Sequence, residues 1–368
     1  MNPVQSLAFP HRYMQGPDLL LRLPELLSPG GEEALVLASP SFAERVRSMC
    51  REGGPLSVTT FAGECTRQEV DRVAELARTR KARVLAGAGG GKTLDCAKAA
   101  ADALGIPVVI IPTTASTDAP CTGVAVLYNE AHEVSGFLVT ARHPSLVLAD
   151  TRVILSAPVR FLAAGMADAL ATGYEAASCV ASGAEAYSGG RITETGLALA
   201  RLASETVLSW GEQAFRDAEA GRITEAVERI IEANILLSGV GFEATNLAAA
   251  HSIHNGLTRI PRTAPYLHGE KVAFGILTGL VLNRAPEEEL RRVYRFLNAL
   301  QLPVTLEQLG LPELTGQEWE DLLDTACRPH SLIHNEPMEI TRQGVREAME
   351  EADARGKAFL GSSAETRS

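Results

Sequence analysis

Short apolar runs alternate with amphipathic stretches through the first 150 residues of the chain. Five runs rich in Val, Ile and Leu predict strands, at 34–39, 56–63, 83–90, 107–114 and 145–150. Apolar residues at helical spacing predict helices between the first four runs, at 41–50, 67–82 and 92–105. This alternation is typical of a parallel sheet covered by helices on both faces. We therefore expect a Rossmann-like α/β domain over residues 1–156, with a hairpin at 123–140.

The pattern changes after residue 157, where β-branched runs disappear. Long stretches such as 225–239, 242–254 and 287–300 carry helical spacing, which predicts an all-helical second domain over 157–368. A chain of 368 residues exceeds the size at which one hydrophobic core usually stops growing, so two domains are expected. Since no long linker separates them, we expect a ligand site in the cleft where they meet.

Charge and cysteine content narrow the function classes. A net charge of -11 argues against nucleic acid or an anionic membrane as the main partner. No run approaches the roughly 20 apolar residues that span a bilayer, and the N-terminus lacks the pattern of a signal peptide. The six cysteines are scattered without a CxxC pair, which favours reduced thiols in a cytoplasm. These features favour a cytoplasmic protein whose main partner is neither a nucleic acid nor a membrane.

A glycine-rich segment, GAGGGKT at 87–93, joins a predicted buried strand to a predicted helix. Glycines there let the backbone approach a phosphate, and the start of a helix offers free N–H groups to an anion. The segment fits neither common phosphate motif. A Walker A loop needs glycine where Ala86 stands, and GxGxxG from Gly87 needs glycine where Lys92 stands. The segment is thus a phosphate cradle of another kind, or a tight turn without a ligand.

One carboxylate, Asp168, stands in the small apolar stretch AAGMADALA at 163–171. A lone ionised carboxylate on a smooth helix face is costly without a partner. Three histidines, His251, His254 and His268, lie close together farther along the chain. A carboxylate and two imidazoles suit a divalent metal, with a fourth position left for substrate. Spacing alone leaves open which of the histidines coordinate.

Several segments together resemble the glycerol dehydrogenases of the iron-containing (group III) alcohol dehydrogenase superfamily, nearly from end to end. They are RYMQGPDLL (12–20), GAGGGKTLDCAK (87–98), PTTASTDAPCT (112–122), GMADALATGYEA (165–176), AAAHSIHNGL (248–257), HGEKVAFG (268–275) and IHNEP (333–337). The resemblance implies a dehydroquinate synthase-like architecture with its active site in the interdomain cleft. It also implies a homo-oligomer, between a dimer and an octamer.

The resemblance also implies roles for individual residues. It places Zn²⁺, with Fe²⁺ as the alternative, on Asp168, His251 and His268, and the substrate hydroxyls on the catalytic Asp118. His254 is expected either to relay a proton or only to orient the site. The positions implied for the nicotinamide cofactor are Gly90, Gly91, Lys92, Thr113, Ser116, Thr122, Val124 and Tyr128. Thr122 and Val124 are mild departures from the family pattern.

The implied reaction is metal-dependent oxidation of glycerol, or a similar vicinal diol, to dihydroxyacetone with hydride transfer to NAD. Three alternatives stay open: a dehydrogenase for a 2-hydroxy acid, one for glycerol-1-phosphate, and a paralogue without turnover. NADP is the alternative cofactor, because Ser39 ends the first predicted strand where NAD enzymes place an acid. Two arginines, Arg45 and Arg47, follow on the next helix. Glu175 is expected to form a salt bridge or a subunit contact, or else to support the metal site.

Overall fold

The computed structural model describes residues 4–130 and 134–365 and contains a parallel sheet in its first half. The described strands are β1 Tyr13–Gly16, β2 Ala34–Ala38, β3 Leu56–Thr60, β4 Val84–Gly89, β5 Val108–Pro112, β6 Val124–Tyr128, β7 Val134–Val139 and β8 Leu146–Asp150. Six of them form one parallel sheet in the order β1-β8-β5-β4-β2-β3, and β6 and β7 form an antiparallel hairpin. All five predicted strands and the hairpin are confirmed, although residues 131–133 of the predicted hairpin lie outside the described residues. Strand β1 was missed because its four residues form no apolar run.

The described helices cover both faces of the sheet and make up most of the chain after β8. They are α1 Leu23–Leu27, α2 Ala43–Arg47, α3 Arg67–Thr79, α4 Gly91–Leu104, α5 Thr151–Leu155, α6 Val159–Ser182, α7 Glu194–Glu219, α8 Glu225–Glu232, α9 Ser238–Ala244, α10 Ala249–Leu257, α11 His268–Leu282, α12 Glu287–Ala299, α13 Gly316–Ala326 and α14 Arg342–Glu365. A π-helical turn, Ala233–Leu237, joins α8 to α9. None of the helices in the described ranges is long and apolar enough to cross a membrane.

Alternate residues along the strands point to opposite faces of the sheet, as the pleat requires. Val36 and Ala86 pack with α1 and α2 on one face, whereas Leu37, Leu85 and their neighbours pack with α3 and α4 on the other. The second face continues into the core of the helical half. The sheet is therefore buried on both sides, which explains why its central strands are apolar throughout.

The prediction of one helix over 242–254 is wrong, because the helix is broken between α9 and α10. Two buried carboxylates that are distant in sequence accept hydrogen bonds from backbone N–H groups at the start of α10. Glu175 Oε1 accepts from Ala248 N (2.8 Å) and His251 N (3.0 Å), and Glu336 Oε1 accepts from Ala249 N (3.0 Å). The start of a helix can usually be recognised in the sequence from a local capping residue. Here the acceptors are distant in sequence, so the break has no local signal.

Two glycines let the helices that surround Asp168 approach closely. A Cβ on Gly165 of α6 would lie 1.9 Å from the carbonyl oxygen of Ala115. A Cβ on Gly269 of α11 would lie 1.8 Å from the carbonyl oxygen of Ala164. These contacts are possible only without a side chain. They bring the start of α11, and the segment that follows β5, against the middle of α6.

Candidate metal centre and active site

Three side chains from three helices converge where the sheet meets the helical half. Asp168 lies in the middle of α6, His251 in α10, and His268 is the first residue of α11. Asp168 Oδ1 is 3.2 Å from His251 Nε2 and 3.0 Å from His268 Nε2. One ligand atom from each residue lies within 4.8 Å of the other two. The structure thus brings His251 and His268, rather than His254, to the lone carboxylate.

The charges at this site are strongly coupled. Burial alone would raise the pKa of Asp168, which has no exposed surface, but His268 and His251 outweigh it and hold that pKa well below its usual range. Burial would likewise lower the pKa of His251, but Glu175 and Asp168 raise it well above its usual value. The site therefore favours an ionised carboxylate beside positive charge. Two imidazole nitrogens and one carboxylate oxygen are a donor set that Zn²⁺ and Fe²⁺ accept.

Glu175 supports the site from one side. Its Oε2 is 2.6 Å from His251 Nδ1, and its Oε1 accepts the two backbone N–H groups at the start of α10. Of the roles considered for Glu175, the contact to His251 corresponds to support of the metal site. Carboxylates that hold the second ring nitrogen of a histidine ligand fix its tautomer and orientation. This contact leaves His251 Nε2 facing Asp168.

His254 lies one turn beyond His251 and contacts the other candidate ligand. Its Nε2 is 3.0 Å from His268 Nδ1, and its Nδ1 is 3.1 Å from Asn255 Oδ1. Burial, followed by the positive charges of His268 and Lys271, lowers the pKa of His254 well below its usual value. A neutral imidazole in this place suits a hydrogen bond to His268, which would orient that ring.

Asp118 enters the site from the segment that follows β5. Its backbone N–H donates to Asp168 Oδ2 at 3.2 Å, and its own Oδ2 accepts from Ser238 Oγ at 3.1 Å. Burial and the charge of Asp168 raise the pKa of Asp118 well above its usual value. Ser238 follows the π-helical turn, a feature that often marks functional sites. A carboxyl group so placed could meet a hydroxyl of a ligand beside Asp168.

The glycine-rich segment lies at the start of α4, where two kinds of glycine can be told apart. A Cβ on Gly87 would lie 2.7 Å from Ala97 Cβ, and one on Gly89 would lie 2.8 Å from Thr93 Oγ1, so these two glycines serve the packing of β4 against α4. Gly90 and Gly91 face open space, and neither has a positive φ. Packing and backbone conformation thus leave both glycines unexplained. A helix start with open space beside it is a place where proteins bind anions.

Of the residues predicted to contact the cofactor, Lys92, Thr113 and Tyr128 lie at or beside this loop. Lys92 Nζ is 2.7 Å from Glu64 Oε2 and 4.5 Å from the centre of the Tyr128 ring. The N–H of Thr113 donates to the Gly89 carbonyl at 3.0 Å, which places Thr113 beside the loop. The Ser116 hydroxyl is 3.2 Å from that of Thr114.

Thr122 and Val124 are buried, and sequence reasoning missed the side chain that holds their segment. The ammonium of Lys98 in α4, which is only 1% exposed, lies 3.0 Å from the Ala119 carbonyl oxygen and contacts that of Val124. The Thr122 hydroxyl donates to Ala119 O at 3.1 Å. Both predicted cofactor residues thus shape the loop from within. A lysine among the alanines of CAKAAA (96–101) is a signal of the same kind as Asp168.

Comparisons with known proteins extend over both halves of the chain. A family model described as iron-containing alcohol dehydrogenase matches residues 10–151. A glycerol dehydrogenase of Escherichia coli O6:H1 is 45% identical over 95% of this chain and 97% of its own length. A glycerol dehydrogenase of Pseudomonas putida is 42% identical over 97% of this chain and 99% of its own length. The crystal structure of a probable glycerol dehydrogenase from Sinorhizobium meliloti 1021 has a TM-score of 0.92 at 38% identity, covering 96% of this chain and all of that one.

Proposed function

The chain belongs to the iron-containing alcohol dehydrogenase family, and from this premise we propose that it oxidises glycerol, or a similar vicinal diol, to dihydroxyacetone or the matching ketone. A bound nicotinamide dinucleotide would supply the hydride acceptor. The observation that carries the proposal is the convergence of Asp168, His251 and His268 beside Asp118. Close relatives named glycerol dehydrogenase support the choice of substrate.

Asp168, His251 and His268 are the residues that would hold a divalent cation, Zn²⁺ first and Fe²⁺ as the alternative. Their two nitrogens and one oxygen suit either ion, and the second ring nitrogen of each histidine already has a partner. A bound cation supplies Lewis acidity that lowers the pKa of a substrate hydroxyl.

The chain itself supplies orientation at the reacting end. Glu175 holds His251 so that Nε2 faces the site, and His254 holds His268 in the same way, which makes His254 a positioning residue with proton relay as its alternative role. Asp118 accepts a hydrogen bond from a substrate hydroxyl and thereby selects a diol over a simple alcohol. Its neighbour Ser238 keeps the carboxyl group in place.

The residues that would hold the cofactor lie at the carboxyl ends of the strands, where ligands of open α/β sheets bind. The open space at Gly90 and Gly91 and the free N–H groups at the start of α4 support a pyrophosphate there. Lys92, Thr113, Ser116 and Tyr128 are assigned to the same cofactor, since three of them surround that loop. Thr122 and Val124 contribute by shaping the segment beside it.

The proposal extends to the organisation of the protein. A division between the domains at residues 156 and 157 is supported by the end of β8 at Asp150 and the start of α6 at Val159. A cytoplasmic location is supported by the six free cysteines. A homo-oligomer is expected from the family resemblance alone.

A phosphorylated or carboxylate substrate is less well supported. Such a substrate needs several cations beside the metal, and the nearby basic residues do not supply them. Three basic residues follow His254 in the sequence near the metal ligands. Arg262 is bound to Glu318 at 2.9 Å and Arg259 is exposed, so Lys271 is the one of the three that is buried. A paralogue without turnover is also disfavoured, because the chain retains each candidate ligand together with Asp118.

The experiment that tests the proposal is turnover of metal-stripped protein. We expect NAD reduction with glycerol to appear on addition of Zn²⁺ or Fe²⁺ and to be absent without either. Turnover with lactate or glycerol-1-phosphate but not with glycerol would overturn the substrate, and turnover without metal would overturn the metal site.

Two histidines on one helix provide matched variants. His251→Ala should abolish metal binding and turnover, whereas His254→Ala should slow turnover with metal retained. Bound metal is measured directly by elemental analysis. Complete loss of metal from His254→Ala would refute the roles assigned to the two rings.

A further inference from the structure

The end of β2 lies beside the glycine loop. Strand β2 pairs with β4, and the N–H of Ser39 donates to the Ala88 carbonyl at 2.8 Å. A Cβ on Gly89 would lie 3.0 Å from Ser39 Cβ. In dinucleotide-binding sheets the strand next to the glycine-loop strand ends at the adenosine ribose, where an acid accepts the 2′-hydroxyl of NAD. Ser39 occupies that place in this chain.

The surroundings of Ser39 offer donors instead of a negative charge. The Ser39 side chain is half-buried, and within the described residues its hydroxyl has no hydrogen-bond partner. Residues 39–42, Ser-Pro-Ser-Phe, contain a second hydroxyl at Ser41 and no carboxylate. The two carboxylates that follow β3 are already engaged, Glu64 with Lys92 at 2.7 Å and Glu69 with Arg72 at 2.6 Å.

Two arginines, Arg45 and Arg47, follow Ser39 on α2. The Arg45 guanidinium lies 5.6 Å from the centre of the Phe42 ring. Arg152, which holds the Asp18 carboxyl at 2.8 Å, lowers the pKa of that group, and the charge of Arg45 helps to lower it. Across the part of the chain that the structure describes, Arg45 itself forms no salt bridge. Arg47, two residues later, is bound to Glu44 at 3.3 Å and to the Thr60 hydroxyl at 2.7 Å. Of the two arginines on α2, Arg45 is therefore the one that no described carboxylate holds in a salt bridge.

We propose that the adenosine-ribose subsite of this chain accepts a 2′-phosphate, so that the protein binds NADP(H) as well as NAD(H). Ser39 is the specificity-determining residue, because it hydrogen-bonds either group without repelling the phosphate. Arg45 supplies the positive charge. The inference rests on the proposed use of a nicotinamide dinucleotide, and it is independent of the substrate and the metal.

The test is a fluorescence titration of metal-stripped protein with NADH and with NADPH. The wild-type protein should bind the two with Kd values within about tenfold of each other. Ser39→Asp should weaken the binding of NADPH by about a hundredfold or more, because the new carboxylate repels the 2′-phosphate. The binding of NADH should hardly change. Ser39→Asn, which adds similar bulk without charge, should keep NADPH binding.

The arginines give a second pair of variants. Arg45→Ala should weaken the binding of NADPH about tenfold, because one charge-assisted contact to the phosphate is lost. The affinity for NADH should stay unchanged. Arg47→Ala should change neither. Wild-type protein that binds NADH more than a hundredfold tighter than NADPH would overturn the proposal, as would a Ser39→Asp variant with an unchanged ratio.

The outcome separates this inference from the proposed function. Binding of both dinucleotides by a protein that does not turn over glycerol would overturn the proposed substrate and support the subsite. Binding of neither would overturn the dinucleotide site and the inference together.

Discussion

Replacing Lys98 with methionine should lower the free energy of unfolding more than the same replacement at a surface lysine does. The Lys98 ammonium lies 2.9 Å from Asp95 Oδ1, close enough to pair the charges, although the direction is not that of a hydrogen bond. It also donates to the carbonyl groups of Ala119 and Val124. In Lys98→Met, Asp95 stays buried without its cation, and both carbonyls lose a donor.

The size of the effect follows from what is left behind. Removing one partner of a buried ion pair costs about 3–5 kcal/mol, because the other charge remains uncompensated. In the double variant Asp95→Asn/Lys98→Met, the asparagine carries no charge and still accepts from Val126 N, the donor that Asp95 Oδ2 holds at 3.1 Å. The double variant then loses only the hydrogen bonds from the ammonium to the two carbonyl groups, and the Ala119 carbonyl keeps the Thr122 hydroxyl as a donor. We therefore expect the double variant to lose about 1–3 kcal/mol.

The assay is urea unfolding followed by circular dichroism and by the fluorescence of Trp210 and Trp319, compared where the two transitions coincide. Lys357→Met is the control. Lys357 is half exposed and is paired with Asp353 on the same helix at 2.7 Å, so its loss should cost no more than about 1 kcal/mol. A loss below about 1 kcal/mol in Lys98→Met, or a double variant no more stable than the single one, would refute the reasoning.

Three further predictions concern buried carboxylates. Glu175→Gln should weaken metal binding about 10- to 100-fold in chelator competition, because it loosens the hold on His251; unchanged affinity would count against that hold. Glu336→Leu should cost about 1–3 kcal/mol in urea unfolding, because the first turn of α10 loses an acceptor; wild-type stability would contradict this. Hydrogen bonds, with that from Gln213 the largest contribution, lower the pKa of Asp217 from 3.8 to about 2. The ionised Asp217 therefore stabilises the fold at pH values above its unfolded pKa, and this stabilisation is lost as the pH falls through about 2. The stabilities of Asp217→Asn and the wild type should therefore converge between about pH 4 and pH 2, and a constant difference would contradict the assignment.

Some parts of the fold could be read from local patterns. The central strands are buried on both faces, so they are apolar throughout and stand out along the chain. Strand β1 did not stand out, because an edge strand of four half-buried residues needs no apolar run. The break before α10 did not either, since its capping carboxylates come from residues 175 and 336.

The candidate site divides in the same way. The isolated Asp168 in a stretch of small residues predicts a partner, because a buried charge needs one wherever the chain folds. The same logic applied to Lys98 would have found the buried cation that holds the loop after Asp118. Which histidines face Asp168 depends on how α10 and α11 cross α6, and no local pattern encodes that crossing.

Composition and local spacing were enough to predict the class of fold, the glycine loop and the short set of residues able to hold a metal, because each depends on patterns within a few turns of chain. Local spacing left open which histidines meet Asp168; the family resemblance implied His251 and His268, and the packing of the helices brings these two to it. Only the three-dimensional packing shows that Glu175 and His254 contact these two rings and that Ser39 lies beside the glycine loop. Those relations join residues that are far apart in sequence. They follow from the close approach that Gly165 and Gly269 allow and from the order of strands in the sheet.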